Sequence, residues 1–423
     1  MATQKLPEIY FDTRAGAYWL RIAPARFLLL EKRDITDHFA FAGMDVDGAC
    51  GPLTNIKKAL LVARLERWVD YAGPLAGHPC GLLVTSDGGR ALVTSEARVI
   101  APGAGPFPFI ERFLEELFGD YDHQVTAVCN WLKAARESLL AHDFRPGQML
   151  VLAGPSNCGK SLFQAFLTEF LGGRMAKPYR YMTGESNFNS DLAAAEHWAI
   201  EDEHGSTDIR TRRKFGTSLK EATVNRDLSV HAKGRQAVTL PTFRRLSLSV
   251  NDEAENLMIL PPMDPSIVDK VMLLRCSKAN VGGDRLRTWA RITKELPAFV
   301  RYLNRSRINP DLECSRFGVR AYHNPQLVEQ LQEISPEERL LNLVDEVIFG
   351  SKGRKDDEWQ GSADELEKRL RGSEFAFAVD KLLGFHNACG TYLRRLAGHY
   401  PDRITSTKLT GKHRGRVVWR ITR

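Results

Sequence analysis

The chain has 423 residues, 43% of them hydrophobic and 26% charged, which is room for two or three domains with cores of their own and far from a disordered or collagen-like composition. No run approaches the ~18 consecutive apolar residues of a membrane span, the opening MATQKLPEIYFDTRAG lacks the layout of a signal peptide, and the seven scattered cysteines show no C-x-x-C or Cys/His ligand spacing, so a cytoplasmic protein with no membrane partner, disulfide framework or zinc site is expected. The net charge of +7 comes from 59 Lys and Arg against 52 Asp and Glu, and it is concentrated in two stretches: residues 210–245 hold ten cations against two acids, and residues 390–423 hold nine against one.

Residues 1–110 mix short β-like runs (17–22 and 91–94) with a helical stretch near 55–70 and read as a small α+β domain. Asp45 and Asp47 form a D-x-D pair, but the apolar run before them is short and broken by glycine, so the pair reads as loop. Apolar residues at helical spacing (Phe113, Leu117, Val128, Trp131, Leu132) predict a helical connector over 111–147. Residues 148–305 alternate apolar runs with helical segments, the pattern of an α/β domain with a largely parallel sheet. Residues 306–361 read as a helical segment ending in a polar, Gly-rich linker at 350–361. After it come two helical segments, 362–371 and 387–396, and a strand pair, 404–409 and 416–421. That is the plan of a winged helix, whose Lys408, Lys412, Arg414 and Arg416 are candidates for duplex DNA.

The strongest local signal is the apolar run 149–153 followed by Gly154, Pro155, Ser156, Asn157, Cys158, Gly159, Lys160 and Ser161. The run fits G-x-x-x-x-G-K-[ST] between a strand and a helix, the context a P-loop requires. Its backbone N–H groups close around phosphate, Lys160 reaches the β and γ phosphates of ATP, and the Ser161 hydroxyl ligates Mg²⁺. About forty residues on, the apolar run HWAI ends in Glu201, Asp202 and Glu203. Asp202 is the candidate for the Mg²⁺ shell and Glu203 for polarising the attacking water, with Glu201 as stand-in for either. A third strand, LSLSV at 246–250, ends in Asn251, a candidate for positioning that water. Between the last two strands, two β-prone stretches meet at Lys233-Gly234, a hairpin turn signal with His231, Lys233 and Arg235 at its tip. Cations on a projecting hairpin suit phosphate contacts.

The order of these parts, with a Lys-Glu helix start at 218–221, is similar to that of the superfamily 3 helicases, hexameric AAA+ motors of small viruses, phages and mobile elements. It most resembles the phage and prophage primase-helicase proteins related to the poxvirus primase-helicase ATPase. The stretches YRYMTGESNFNSDL (179–192), AEHWAIEDE (195–203) and LPTFRRLSLSVNDEAENLMILPP (240–262) carry the resemblance, which spans roughly residues 75–423. It implies an AAA+ P-loop core with a small N-terminal α+β domain and a C-terminal winged helix, working in a bacterial host's cytoplasm. It further implies a homo-hexameric, ATP- and Mg²⁺-dependent DNA helicase, with Lys160, Ser161, Asp202, Glu203 and Asn251 as its ATPase residues. The 231–235 tip would line a pore that holds single-stranded DNA. The family's arginine finger, supplied by the neighbouring subunit, has no clear counterpart: Lys270 stands at the nearest position, Arg275 follows, and the Arg210, Arg212 and Arg213 cluster is another candidate. An origin-binding or helicase-loading factor that uses ATP mainly for assembly on DNA is the alternative reading.

Overall fold

The computed structural model describes residues 8–43, 54–121, 123–201, 209–234, 236–253, 256–261, 263–280, 282–333, 336–350, 358–408 and 417–423. Asp45 and Asp47 lie outside the described residues. The chain divides into two compact units, Met1–Asn324 and Pro325–Arg423.

The centre of the first unit is a five-stranded parallel sheet. Its strands lie in the order Val271–Arg275, Met149–Ala153, Arg245–Val250, His197–Ile200 and Met175–Ala176. In chain order that is 5-1-4-3-2, so the Asn251 strand is the middle one and the strand leading into the P-loop lies beside it, away from the edge. The runs MLVLA and HWAI are buried at every position, as expected where helices cover both faces of a parallel sheet. The strand Arg245–Val250 reads RLSLSV, an alternation that normally marks one wet face, yet all six residues are buried. Its polar members have internal partners. Arg245 donates to the Arg244 carbonyl at 2.9 Å and stacks on the Phe243 ring, and Ser247 accepts from Gln164 at 2.9 Å.

The helices Pro108–Phe118, Gln124–Leu140, Lys160–Phe170 and Arg285–Arg305 share one apolar core with the sheet, built on Phe113, Phe118, Trp131, Phe163, Phe166 and Phe299. Before them stand two small sheets. One orders Arg26–Leu30, Ala17–Ala23, Ile9–Asp12 and Trp68–Val69 under the helices Lys32–Phe41 and Asn55–Leu65. The other joins Tyr71–Gly73, Arg90–Val93 and Gly81–Val84.

Three expectations need correction. The 218–221 segment is not a helix start; it lies in the second half of the helix Ile209–Val224, because the apolar positions Phe215, Leu219 and Ala222 continue one stripe. Residues 306–324 are not helical. They form a 3-10 turn, the short strand pair Glu313–Cys314 and Gly318–Val319, and an extended stretch bonded to Leu273 at the edge of the central sheet. The linker expected over 350–361 ends early, since Glu358–Gly361 is a strand that pairs with Val417–Thr422 and buries Trp359.

The second unit packs helices Pro336–Val344, Ala363–Arg371, Ala376–Leu382 and Ala388–His399 with a three-stranded antiparallel sheet ordered Glu358–Gly361, Val417–Thr422, Ile404–Lys408. Ser362 opens its helix with a capping box to Glu365, a local stop signal for the strand before it. The third helix, Ala376–Leu382, escaped the sequence reading because seven residues show too little of a helical period.

Candidate active site

The P-loop joins the C-terminal end of Met149–Ala153 to the helix Lys160–Phe170. Its turn depends on two left-handed residues, Asn157 at φ 58° and Gly159 at φ 121°. Asn tolerates such a φ, whereas the second value is open only to glycine. Gly154 is required for another reason: a Cβ there would strike the Cys276 carbonyl. The loop thus ends on the first turn of an 11-residue helix, whose unpaired N–H groups and dipole favour an anion.

Lys160 is buried, with its ammonium donating to the Gly154 and Pro155 carbonyls at 2.6 and 2.8 Å and to Asn251 Oδ1 at 3.3 Å. Asn251 also accepts from the Ser156 hydroxyl, at 3.5 Å. The parallel register of the two strands, with Val250 opposite Ala153, brings these groups together from 91 residues apart in sequence. Ser161 follows in the first helical turn with an exposed side chain. Glu201 is half-buried just past the end of the next strand, while Asp202 and Glu203 lie outside the described residues.

Beneath the site a polar network ties the same three elements. Gln164 and Thr168 come from the P-loop helix, His197 from the acid-bearing strand and Ser247 from the Asn251 strand. His197 bonds Thr168 Oγ1 through Nδ1 and Ser247 Oγ through Nε2, each at 2.8 Å. Gln164 donates to Ser247 and to the Ile200 carbonyl. Complete burial holds the His197 pKa down at about 3, so the ring is neutral. Nothing in the sequence flagged this network, because a lone His in an apolar strand carries no spacing signal.

On the other side of the P-loop strand, Arg275 pairs with Asp252 at 3.3 Å, and the buried Gln124 clamps the Arg275 backbone through both its N–H and its carbonyl. Lys270 is not brought to this site. It precedes the strand Val271–Arg275 at the opposite edge of the sheet, about 16 Å away at ~3.3 Å per residue, and its buried ammonium lies 2.6 Å from Asp269. Arg212 donates to the Leu260 carbonyl at 3.0 Å and Arg213 is exposed; the Arg210 side chain lies outside the described residues. Cys158, inside the loop, has its thiol lowered to about 6. The Cys276 thiol donates to it and the Lys160 ammonium stands near, at 3.9 Å, against the opposing effect of burial. Cys276 is pushed up by burial and by the same partner.

The basic hairpin pairs Asp227–Val230 with Val238–Pro241. Its ladder stops at Val230 opposite Val238, so the described residues 231–234, 236 and 237 stand outside the ladder, more than the two-residue turn expected, with Gly234 at φ 74° and Lys233 exposed beside it. Arg235 lies outside the described residues. Asn189 holds the hairpin by accepting from the His231 N–H at 2.7 Å and donating to the Ser229 carbonyl at 2.8 Å. This seats Phe188, 46% exposed, against the His231 ring, with centroids 5.4 Å apart. Phe188 is a candidate the sequence reading missed: its partner is 43 residues away, and only the folded chain makes an aromatic neighbour to the basic tip. From the N-terminal sheet, Arg14 donates to the Gln236 and Ala237 carbonyls at 2.9 and 2.8 Å and braces the far side of the loop.

Solved structures share this fold. The apo structure of the NrS-1 C-terminal region, residues 305–718, aligns at a TM-score of 0.59 and 14% identity, covering 99% of this chain and 97% of that one. A second apo form of the same region aligns at 0.58 and 15% over the same shares. At such identity the likeness is one of fold alone. A JCV helicase with a bound small molecule aligns over 57% of this chain and 72% of that one, at 12% identity and a TM-score of 0.24, too low to carry a conclusion. No family model matches the sequence, and no curated protein does.

In the second unit Lys408 is exposed at the end of its strand, and Lys412, Arg414 and Arg416 lie outside the described residues. Other cations of this stretch have internal partners: Arg395 on Glu337, Arg403 on Asp345 and Arg420 on Glu358. Among the described residues no helix is long and apolar enough to cross a membrane.

Proposed function

We propose that this chain is an ATP-hydrolysing DNA motor of the superfamily 3 kind, acting as a ring that moves single-stranded DNA past the 231–237 loop. The observation that carries the reading is the convergence of Lys160, at the start of the helix after the P-loop, and Asn251, just past the neighbouring parallel strand, 3.3 Å apart, with the strand that leads to Glu201, Asp202 and Glu203 next in the sheet. A lysine for phosphate, an amide able to orient water and a carboxylate-bearing strand end are the parts that hydrolysis of a phosphoanhydride needs.

The residues present fit a magnesium nucleotide. The helix N-terminus and Lys160 supply donors and positive charge, and Gly159 supplies the φ of 121° that turns the loop into that helix. Lys160 would turn from the loop carbonyls to the β and γ phosphates, and Ser161 with Asp202 would hold Mg²⁺, whose chemistry is neutralisation of charge on the transferring group. Glu203 takes the proton of the attacking water, and Asn251 holds that water in line. Arg275, on the same edge of the sheet, adds positive charge from within the subunit. The exposed Lys233 and Phe188, with the half-buried His231 against the Phe188 ring, combine phosphate attraction with a ring on which a base stacks, the pairing that binds single strands without reading sequence. The second unit, whose helices Ala363–Arg371, Ala376–Leu382 and Ala388–His399 pack with a three-stranded antiparallel sheet, fits a winged helix that holds duplex DNA through Lys408 and the 412–416 cations.

The test is ATP turnover with and without single-stranded DNA, on particles sized by mass photometry. Stimulated turnover by a ring supports the motor. ATP-dependent assembly on DNA with little turnover would favour the loading-factor reading instead.

A further inference from the structure

A third cationic surface lies outside both stretches that stand out in the sequence. Between residues 285 and 307 the chain carries six arginines and one lysine against a single acid, Glu295. The helix Arg285–Arg305 buries Thr288, Ile292, Leu296, Phe299 and Leu303 on one side, which turns Arg291 and Lys294 to solvent. The lone acid does not neutralise them. Glu295 Oε2 accepts from the Phe109 and Ile110 N–H groups at 2.8 and 3.0 Å, so its charge is engaged by the N-terminus of the helix Pro108–Phe118.

That capping contact aligns the two helices and builds a groove of about 600 Å³ whose lining includes Arg112, Arg291 and Lys294. Arg112 and Arg291 lie over the same Phe109 ring, at 5.6 and 5.8 Å from its centroid. Stacking on one ring pre-organises both guanidinium groups without spending their N–H donors. The carboxylate nearest Arg112 is Glu116 at 3.7 Å, an exposed pair of small worth. Among the described residues Arg291 and Lys294 have no ion-pair partner. Tyr302, 48% exposed, projects from the same helix with its ring 5.2 Å from that of Phe107.

We propose that this groove is a second DNA contact, separate from the hairpin, that grips the phosphate backbone of a strand through Arg112, Arg291 and Lys294. Converging cations on one ring and an acid already engaged elsewhere complement a polyanion. The proposal rests on the reading of DNA as substrate.

The experiment compares the full chain with the triple variant Arg112→Ala, Arg291→Ala, Lys294→Ala. Affinity for fluorescent single-stranded, duplex and forked DNA is measured from 0.05 to 0.3 M salt, beside basal ATPase and particle size. Each phosphate contact contributes ~0.7 to the log–log salt slope on single strands and ~0.9 on duplex. The triple variant should therefore flatten the slope by ~2 to ~3 on the form of DNA the groove holds, leaving basal ATPase unchanged. The Arg112→Lys, Arg291→Lys variant keeps the charge and the fold and should restore most of the slope. An unchanged slope in the triple variant overturns the proposal, and so does a slope that stays constant while particle size falls, which would make the groove a contact between copies. Failure of the parent chain to bind any of the three DNAs defeats the motor reading itself.

Discussion

The stretches 210–245 and 390–423 carry the same excess of positive charge, and the fold uses it in opposite ways. In 210–245 the arginines nearest the core turn inward. Arg244 donates to the Ala222 and Thr242 carbonyls and is buried between the Phe144 and Trp198 rings, and Arg245 is wholly enclosed. Burial lowers both, to about 10 and about 9. Lys233 remains at the tip, lifted clear on a loop with Phe188 beside it. In 390–423 the described arginines mostly face carboxylates supplied by residues 337–358 of their own unit. What a charged stretch offers a ligand is the remainder after internal partners are subtracted, and among the described residues that remainder includes the exposed Lys233 in the first stretch and the exposed Lys408 in the second.

The largest effect separates the P-loop site from both basic regions. Lys160→Ala should cut ATP turnover on the order of 10²–10³-fold, because it removes the cation that faces the transferring phosphate. Glu203→Gln should keep nucleotide binding and lose turnover by a similar factor. Parental turnover by the Gln variant would move the base to Glu201. The next effect belongs to the hairpin. Lys233→Ala should abolish fork unwinding while basal ATPase survives, since the tip is far along the chain from the P-loop and shares no bond with it. Normal unwinding by this variant would reduce the loop to a solvated turn and erase the contrast between the two stretches.

The same subtraction explains what was legible in the sequence. The P-loop is local chemistry, a run of eight residues between a strand and a helix, and Asn251 follows from a strand end, so both could be placed without the fold. The strand order could not, because parallel pairing joins residues about a hundred positions apart. Phe188 gains meaning only through Asn189, which bonds across to the hairpin, and the Gln164, His197 and Ser247 network unites three elements that look apolar or neutral by themselves. The Arg285–Arg305 helix was hidden by averaging, since the chain outside the two basic stretches is acidic as a whole. The limit of the first unit at Asn324 was hidden too: residues 306–324 have weak patterning but lie along the edge strand through the Leu273 N–H and carbonyl.

A smaller effect sharpens the contrast inside the second unit. Arg403 donates to the Thr422 carbonyl at 2.9 Å and pairs with Asp345, so Arg403→Ala should cost ~1 kcal/mol of that unit's stability and lower its melting temperature by several degrees. Lys408→Ala should leave melting unchanged and weaken duplex DNA only, reducing the salt slope by ~0.9 if it touches one phosphate. Equal losses of duplex affinity in the two variants would show that paired and unpaired cations serve DNA alike.

The smallest effect at neutral pH lies beneath the P-loop. His197 is held neutral down to about pH 3, whereas its ordinary value is 6.5. Below pH 6.5 the unfolded chain takes up a proton at this residue and the folded chain does not, so unfolding is favoured progressively as pH falls toward 3. Above 6.5 both states leave the ring neutral and the term vanishes. The slope approaches on the order of 1 kcal/mol per pH unit for a single group. His197→Gln removes that titration but loses the paired bonds to Thr168 and Ser247, so it should be the less stable protein at pH 7.5 and should lose less stability than the parent on acidification to pH 5. Thermal unfolding at pH 7.5, 6.5 and 5 reads both differences. Parallel acid sensitivity in the two proteins would mean that His197 is not the buried neutral bridge between the P-loop helix and the Asn251 strand. A nucleotide analogue, added at each pH, should then protect both proteins alike.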